Sequence, residues 1–421
     1  MPQPAASETP ADLNAKALSR MLLVLGLFFI CVQVNRSAGG VLANYLDTNR
    51  GLSPTDIGAI SGAMFFAAAA AQLPTGLLFD RIGARLTLVC MSLISVAGMT
   101  VFALAETSPL LASGRFLIGF GHGGVISGVY LLAMGWSTPE VTARSTAALV
   151  GIGGGIGGVL ATTPLALSMD AFGLSGTFLV LAAITLATTL AIFLLVRDRP
   201  SDLNGGPPPE PETLAQSLAG LIGVLGMPQL RRLFVMGICF SAPFMTIGGL
   251  WAGPYFRDVQ HMNAESASFM LLLLVVALHV GTYAYGPLIG RVPSRKALIL
   301  GGVTVEVLCL SVLAAWPTAP LAIAVGVLFL FGCAAPFYVA LAAHARAFVP
   351  AGRVGRLLTS INLMGLTGIF LMQMATGAVI DAVDAAGGPP ELGYRLVFLS
   401  VIALLVITGL IYVKQPESPS T

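Results

Sequence analysis

An arginine and a glutamine lie inside the first long apolar run of this chain, which covers residues 21–46. Arg36 is about 22 Å along such a helix at 1.5 Å per residue, and Gln33 is about one turn away on the same face. A charge at the bilayer centre costs about 3 kcal/mol, so such residues usually face a cavity and have a function. A guanidinium there is a strong two-point partner for a carboxylate or phosphate. Two interpretations follow: Arg36 and Gln33 contact an anionic substrate, or Arg36 is structural, bonded to helix carbonyls or placed near the membrane interface.

A histidine and a second arginine share the apolar run 109–134. His122 follows Arg115 by seven residues, which places both side chains on one face of a helix. An unperturbed histidine titrates near pH ~6.5, within reach of the physiological range. His122, with Arg115 beside it, is therefore a candidate to take up and release a proton. The alternative is that His122 is structural and hydrogen-bonded to a neighbouring carbonyl. His279, with Tyr283 one turn further on, is another candidate for proton coupling, but a packing role is the favoured interpretation for it.

Later apolar runs carry other polar and aromatic residues that could line the far wall of a cavity. The substrate-binding candidates among them are Trp251, Tyr255, Tyr338 and Asn362. Glu306 is interpreted as a structural acid, hydrogen-bonded or protonated. The sequence shows no set of nucleophile, base and acid and no cluster of metal ligands. An enzyme is therefore not expected, nor is a cofactor, a metal or a nucleic-acid partner.

One glycine-rich motif suggests a nucleotide site but lacks the right context. Gly153-Gly-Gly155-Ile-Gly-Gly158 satisfies the G-x-G-x-x-G spacing of dinucleotide sites. It lies inside the apolar run 145–168 without a preceding strand, which that fingerprint requires. Glycines at this density on a membrane helix indicate close helix packing or helix bending.

Twelve long apolar runs carry these residues. The chain has 421 residues, of which 56% are hydrophobic and 10% charged, against about 25% charged residues in soluble proteins. Each run can span a hydrocarbon core of about 30 Å as a helix. The predicted fold is an all-α polytopic membrane protein with twelve transmembrane helices, six on each side of a Pro- and Gly-rich linker. The predicted divisions are a cytoplasmic tail at 1–20, an N-terminal six-helix bundle at 21–196, a cytoplasmic linker at 197–231, a C-terminal six-helix bundle at 232–413 and a cytoplasmic tail at 414–421.

Basic residues are unevenly distributed over the predicted loops. If both termini are cytoplasmic, 16 of the 21 Lys and Arg residues fall in cytoplasmic loops or tails. This asymmetry is typical of the positive-inside rule. It predicts a multi-pass protein of the inner (cell) membrane with both termini in the cytoplasm.

The loop between the second and third runs carries a recognisable motif. Gly76-Leu-Leu-Phe-Asp80-Arg81-Ile-Gly83-Ala-Arg85 resembles the signature G-x-x-x-D-R-x-G-x-R of the major facilitator superfamily. Gly114-Arg115-Phe-Leu-Ile-Gly119-Phe-Gly121 resembles a second signature of that family. The resemblance implies a transporter with two six-helix halves around a central site, working by alternating access. It also implies a latch between the halves, made by Gly76, Asp80, Arg81, Gly83 and Arg85.

The end of the first run resembles two branches of this superfamily. Asn35-Arg36-Ser-Ala-Gly-Gly-Val-Leu-Ala-Asn-Tyr-Leu is similar to the matching segment of the anion:cation symporters and organophosphate antiporters, where the arginine binds the anionic group of the substrate. The antiporters carry a second arginine on helix 7, which the region Phe240 to Trp251 lacks. Symporters of the sugar-acid type have acids where this chain has Asn35 and His122. The expected function is proton-coupled transport of a small organic monoanion.

Two other functions stay open at this point. The glycine-rich fifth run and Arg115 favour a proton-driven exporter of amphiphilic compounds or drugs. A non-transporting sensor or assembly factor on the same scaffold is the other alternative. The expected partners are an anionic small-molecule substrate, protons and the lipid bilayer, and the expected state is a monomer.

Overall fold

The computed structural model describes residues 10–198 and 213–417. This part of the chain consists of helices and short connections, with no strand. Parts of the predicted linker (199–212) and of the predicted tails (1–9 and 418–421) lie outside the described residues. Large apolar side chains are exposed on the outside of the molecule, for example Leu194 at 72% and Leu410 at 65%. Such a surface suits contact with lipid, where helices satisfy their own backbone groups.

Eleven helices in the described ranges are long and apolar enough to cross a membrane. The longest, Pro54–Leu104, has 51 residues and would form a rod of about 77 Å, more than twice the hydrocarbon thickness. It turns at Gly83, where φ is 82° and ψ is 166°, a backbone conformation that glycine adopts without strain. Counting its two parts separately gives twelve crossings, which is consistent with the predicted number.

We number the crossings α1 to α12 in chain order and give the consecutive segments of each. The first six are α1 (Pro10–Ser37 and Gly39–Arg50), α2 (54–82), α3 (84–104), α4 (Ser108–His122 and Val125–Trp136), α5 (Pro139–Ala148, Leu149–Gly153, Gly154–Leu160 and 163–172) and α6 (174–195). The last six are α7 (Pro228–Leu230, Arg231–Gly237, Ala242–Thr246, Ile247–Trp251 and Ala252–Asp258), α8 (Ala264–Arg291), α9 (Arg295–Ala315), α10 (Leu321–Ala334, Ala335–Phe337, Tyr338–Ala345 and Arg346–Phe348), α11 (Val354–Ala385) and α12 (Pro390–Tyr412).

Two names are used for the two sides of the membrane. The terminus face is the side at which α1 begins and α12 ends. The opposite face is the side at which α1 ends and α12 begins. A short helix before α7, Leu214–Leu225, lies against both the Pro54–Leu104 helix and α11, so it joins the two halves near the terminus face.

Glycines hold α4 close to its neighbours in the first half. A Cβ atom at Gly119 would lie 2.0 Å from the carbonyl oxygen of Met64, and one at Gly121 would lie 2.5 Å from that of Met91. No side chain fits at either position. The segment that resembles the second family signature is therefore a packing surface, and it places His122, at the end of the same helical segment, beside α2 and α3.

The two halves meet near the opposite face through backbone contacts at glycines. A Cβ atom at Gly39 on α1 would lie 2.3 Å from the carbonyl oxygen of Gly249 on α7. One at Gly58 on α2 would lie 2.4 Å from the carbonyl oxygen of Gln373 on α11. These approaches leave no room for a side chain, so the halves are in direct backbone contact on this side.

Polar contacts close the opposite face further. Arg257 on α7 forms ion pairs with Asp47 at the end of α1 and, at 2.8 Å, with the adjacent Asp258. The hydroxyl of Thr55 on α2 donates a hydrogen bond of 2.7 Å to Asp381 on α11. Each pair of helices that meets through glycine is thus also tied by side chains.

The Gly76–Arg85 loop makes its described contacts inside the first half. The backbone N–H of Arg85 donates to a carboxylate oxygen of Asp198 at 2.9 Å, just beyond α6. A Cβ atom at Gly83 would lie 3.1 Å from the same carboxylate. Asp198 therefore caps the start of α3, where unpaired N–H groups favour a negative charge.

The remaining residues of the predicted latch are at the surface. Asp80 and Arg81 are exposed, and a Cβ atom at Gly76 would meet nothing within 4 Å. The contacts of Gly83 and Arg85 run to α6 rather than to the second half. A latch between the halves stays a prediction.

Candidate functional site

A cavity of about 860 Å³ lies between the two halves, within the usual range for small-molecule sites. Helices α1, α2, α4 and α5 line it from the first half, and α10 and α11 from the second. It reaches the terminus face, where Arg346, Val354 and Gly355 line it. Its other end lies against the closed contacts of the opposite face. Four predicted site residues line this cavity: Gln33, Arg36, His122 and Asn362.

Arg36 lies at the deep end of the cavity, two residues before the interruption of α1 at Ala38. Its guanidinium makes no hydrogen bond or ion pair with any residue in the described ranges. The ring of Phe65 lies 6.0 Å from the guanidinium carbon, and the Tyr338 hydroxyl is close enough to interact with its charge. A guanidinium carries five donors, and a sheltered cation without a partner is unfavourable. The geometry of Arg36 suits capture of an anion.

Arg115 has a structural role: its side chain is bonded to a helix carbonyl, as the alternative interpretation of Arg36 proposed for that residue. It is 1% exposed and does not line the cavity. Its Nη1 donates to the carbonyl oxygen of Asn35 at 3.0 Å, so it ties α4 to α1 immediately next to Arg36. The Asn35 amide itself turns back to the Cys31 carbonyl at 3.0 Å.

His122 lines the cavity at the point where α4 is interrupted by Gly123 and Gly124. Its Nε2 lies 2.8 Å from the hydroxyl of Ser95, and its Nδ1 is buried without a hydrogen-bond partner among the described residues. The ring is close enough to Arg36 to interact with its charge. A titratable ring with one free nitrogen therefore lies near the unpaired guanidinium.

Two amides complete the predicted set inside the cavity. Gln33 lies one turn from Arg36 on α1, as the helical period predicts, and its Nε2 donates to the Ser37 hydroxyl at 3.2 Å. Asn362 on α11 faces the cavity from the second half. Both amides can donate to or accept from a polar ligand.

Two of the aromatic residues predicted to bind substrate lie in the closed opposite face and not in the cavity wall. The indole N–H of Trp251 donates to the Thr376 hydroxyl at 2.8 Å, and the Tyr255 hydroxyl donates to the Pro317 carbonyl at 2.7 Å. Both are at most 2% exposed, and neither lines the cavity. In this conformation they tie α7 to its neighbours.

Tyr338, His279 and Glu306 also lie outside the cavity lining. The Tyr338 ring packs on Phe240 with centroids 4.7 Å apart, although its hydroxyl neighbours Arg36. Nδ1 of His279 is 2.8 Å from the Val275 carbonyl one turn earlier. This hydrogen bond within the helix favours the packing interpretation of His279. Glu306 is 1% exposed in α9, away from the cavity.

The structure adds lining residues that sequence reasoning missed. Arg346 lies at the mouth of the cavity, and Gln72, Tyr130, Thr146 and Thr359 contribute polar groups from four other helices. From the sequence, Arg346 was interpreted only as one of the basic residues of the cytoplasmic loops. Polar residues within about two helical turns of the ends of apolar runs were the signal that could have identified the others.

The charge of the cavity wall is one-sided. Arg36 and Arg346 are its cationic side chains, and none of the described residues that line it is an aspartate or glutamate. Walls of low dielectric strengthen the effect of these charges on a ligand. The cavity can therefore hold an anion and disfavours a cation.

Comparisons with known proteins match most of the chain to one family. The family model described as Major Facilitator Superfamily matches residues 23–371. The Hexuronate transporter of Bacillus subtilis (strain 168) is 25% identical over 297 residues, which is 69% of this chain and 69% of that protein. The Probable sulfoacetate transporter SauU of Cupriavidus necator is 24% identical over 185 residues, 44% of this chain and 43% of that protein.

Solved structures show the same fold at low sequence identity. A bacterial homologue of the human lysosomal transporter Spinster, in an inward-facing and occupied conformation, aligns with a TM-score of 0.73 at 18% identity, covering 96% of this chain and 99% of that one. The nucleoside transporter NupG aligns with a TM-score of 0.69 at 14% identity, covering 95% and 98%. At these identities the likeness concerns the fold alone.

Proposed function

The chain belongs to the major facilitator superfamily, a family of membrane transporters and not of enzymes, and we propose that it moves small organic anions, coupled to protons, by alternating access. The observation that carries this proposal is the unpaired Arg36 guanidinium at the deep end of the cavity. A carboxylate or sulfonate can accept two of its N–H groups at once. Gln33 and Asn362 are placed to contact other polar groups of the same substrate.

The names of the two relatives support this substrate class. Hexuronate and sulfoacetate are both small organic anions. Hexuronate carries a carboxylate, and sulfoacetate carries a carboxylate and a sulfonate. Each of these groups can accept hydrogen bonds from a guanidinium. The shared feature that we transfer to this chain is the anionic group, and the rest of the substrate is left open.

The glycines of α5 support packing rather than an exporter signature. A Cβ atom at Gly157 would lie 2.7 Å from Gln33 on α1, and one at Gly158 would lie 2.9 Å from Val275 on α8. The glycine-rich segment thus brings α5 against both halves, and close packing alone accounts for its glycines. A proton-driven exporter of amphiphilic compounds stays the alternative.

A ligand screen tests the substrate class. Small carboxylates, hexuronates, sulfoacetate, organic phosphates and cationic dyes are added to the detergent-purified protein, and thermal unfolding is followed. A ligand stabilises the state that it binds, so we expect an increase in Tm with small organic anions and none with dyes. Stabilisation by cationic dyes alone would instead support the exporter.

The sidedness proposed here follows from the charge asymmetry: the terminus face is cytoplasmic, in the inner membrane. Single cysteines at Ser201 and Glu391 are introduced into a variant without its native cysteines. We expect an impermeant maleimide to label position 391 in intact cells and position 201 only after the cells are opened. Labelling of position 201 in intact cells would contradict this orientation.

The backbone contact at Gly58 predicts a conformational effect. In Gly58→Ala the new Cβ would overlap the Gln373 carbonyl, and overpacking of this kind typically costs about 1–3 kcal/mol. The closed opposite face should lose stability and open more often. A cysteine at Ser61, which is 4% exposed on the same helix, should then react faster with a maleimide added from that side.

Gly326→Ala is the matched control for this prediction, since a Cβ there meets nothing within 4 Å. It should leave the reaction rate at position 61 unchanged. Equal rates in both alanine variants would show that the glycine contact does not hold the opposite face shut.

A further inference from the structure

Arg346 is the second cationic side chain of the cavity, and it lies at the mouth. It begins the last segment of α10, Arg346–Phe348, and is exposed at the terminus face. In the described ranges it makes no hydrogen bond or ion pair. Arg36 likewise has no such partner among the described residues, so the cavity presents two unpaired guanidiniums, one from each half of the molecule.

The two guanidiniums lie at different depths. Tyr338, whose hydroxyl neighbours Arg36, precedes Arg346 by eight residues on α10. Eight residues correspond to about 12 Å along a helix. The two arginines therefore extend into the cavity from backbone positions at different depths.

Hydroxyl groups from both halves surround the mouth. Thr359 of α11, Tyr130 of α4 and Thr146 of α5 line the cavity within about two helical turns of the terminus face. The Thr146 hydroxyl is buried without a hydrogen-bond partner among the described residues. An unsatisfied buried hydroxyl is unfavourable, and rotation of the Thr146 side chain toward the cavity that it lines would let a polar ligand supply its partner.

The end of α10 that carries Arg346 is fixed by the C-terminal segment. Nδ1 of His344 lies 2.5 Å from the Tyr412 hydroxyl, and its Nε2 lies 3.1 Å from the carbonyl oxygens of Pro416 and Glu417. Arg295 donates to the Ala343 carbonyl at 3.2 Å. The backbone at Arg346 is therefore held in place while its side chain is free for a ligand.

We propose that the cavity contains two anion sites in series: a deep site at Arg36 and a mouth site formed by Arg346 with Tyr130, Thr146 and Thr359. The mouth site takes a small organic anion at the terminus face and passes it to the deep site, or receives it from there. This inference rests on the proposed function, because it assigns a second position to the same substrate.

The test separates the two sites by removing one at a time. A cysteine replaces Thr359 in a variant without native cysteines, and its alkylation by N-ethylmaleimide is measured with and without glucuronate or sulfoacetate. In the Arg36→Ala background we expect the anion to slow alkylation still, at higher concentration than with Arg36 present. Addition of Arg346→Gln should remove this protection, and Arg346→Lys should retain part of it, because an exposed ammonium still attracts an anion.

Arg353→Gln is the matched control, because Arg353 is an exposed arginine of the same α10–α11 connection that does not line the cavity. It should leave protection unchanged. Loss of protection with Arg36→Ala alone, or equal protection with and without Arg346→Gln, would overturn the mouth site. If no organic anion of the ligand screen binds even the wild-type protein, as judged by Tm and by protection, the proposed function fails instead.

Discussion

Replacement of Arg36 by alanine is expected to lower affinity for small organic anions by roughly 100-fold, since loss of one partner of a sheltered charge pair costs about 3 kcal/mol. Equilibrium binding to the purified protein measures this effect. The fold should survive, because the Arg36 guanidinium bonds to no described residue. The unliganded Tm should therefore stay close to that of the wild type.

Two further variants sharpen this prediction. Arg36→Lys keeps the charge but loses the planar two-point fork, so it should restore only a minor part of the affinity. Arg115→Ala, unlike Arg36→Ala, should lower the unliganded Tm, because Arg115 ties α4 to the Asn35 carbonyl. Near-normal affinity in Arg36→Ala would exclude the deep site.

Replacement of His122 by glutamine is expected to abolish accumulation driven by a pH gradient while exchange of labelled for unlabelled substrate persists. A proton on His122 adds positive charge beside Arg36, and a bound anion offsets that charge. Anion binding and protonation therefore favour each other by the same factor. As pH rises the protonated fraction falls, so the apparent affinity of the wild type should fall, and His122→Gln should flatten that dependence.

His279→Gln provides the control for this result. His279 bonds to the carbonyl of its own helix and lies outside the cavity lining, so its replacement should leave the pH profile in place. Uphill accumulation by His122→Gln with an unchanged pH profile would show that the proton is carried elsewhere. His279 and Glu306 would then be the next candidates.

The sequence could single out Arg36, Gln33 and His122, which line the cavity, because their signals are local. Charged and titratable residues stand out within apolar runs, and the helical period alone places Gln33 on the face of Arg36. The membrane class and the twelve apolar runs follow from composition in the same way. None of these inferences needs to know which helix packs on which.

The predictions for α7 and α10 depend on helix phase, and both helices are irregular. α7 passes through an interruption after Gly237 and a π-helical segment at Ile247–Trp251, and α10 is interrupted at Ala335–Phe337. Such irregularities rotate the residues that follow, so a regular period cannot tell which of them face the cavity. Trp251 and Tyr255 consequently belong to the closed face, and Tyr338 only borders Arg36.

Contacts between the halves could not be predicted from one sequence. Gly39 and Gly58 are visible in it, but their partners, the backbones of Gly249 and Gln373, are far away along the chain. The role of Arg346 was hidden for a related reason. A charge at a helix end fits the positive-inside pattern whether or not it also lines a cavity.

Counterflow in proteoliposomes tests the central claim most directly. Vesicles with purified protein are loaded with an unlabelled organic anion from the ligand screen and diluted into the labelled compound. We expect saturable, transient accumulation of label that is absent from empty vesicles and from Arg36→Ala vesicles. Binding without any flux, or protein-dependent flux that is unchanged in Arg36→Ala, would contradict transport of an organic anion through the Arg36 cavity.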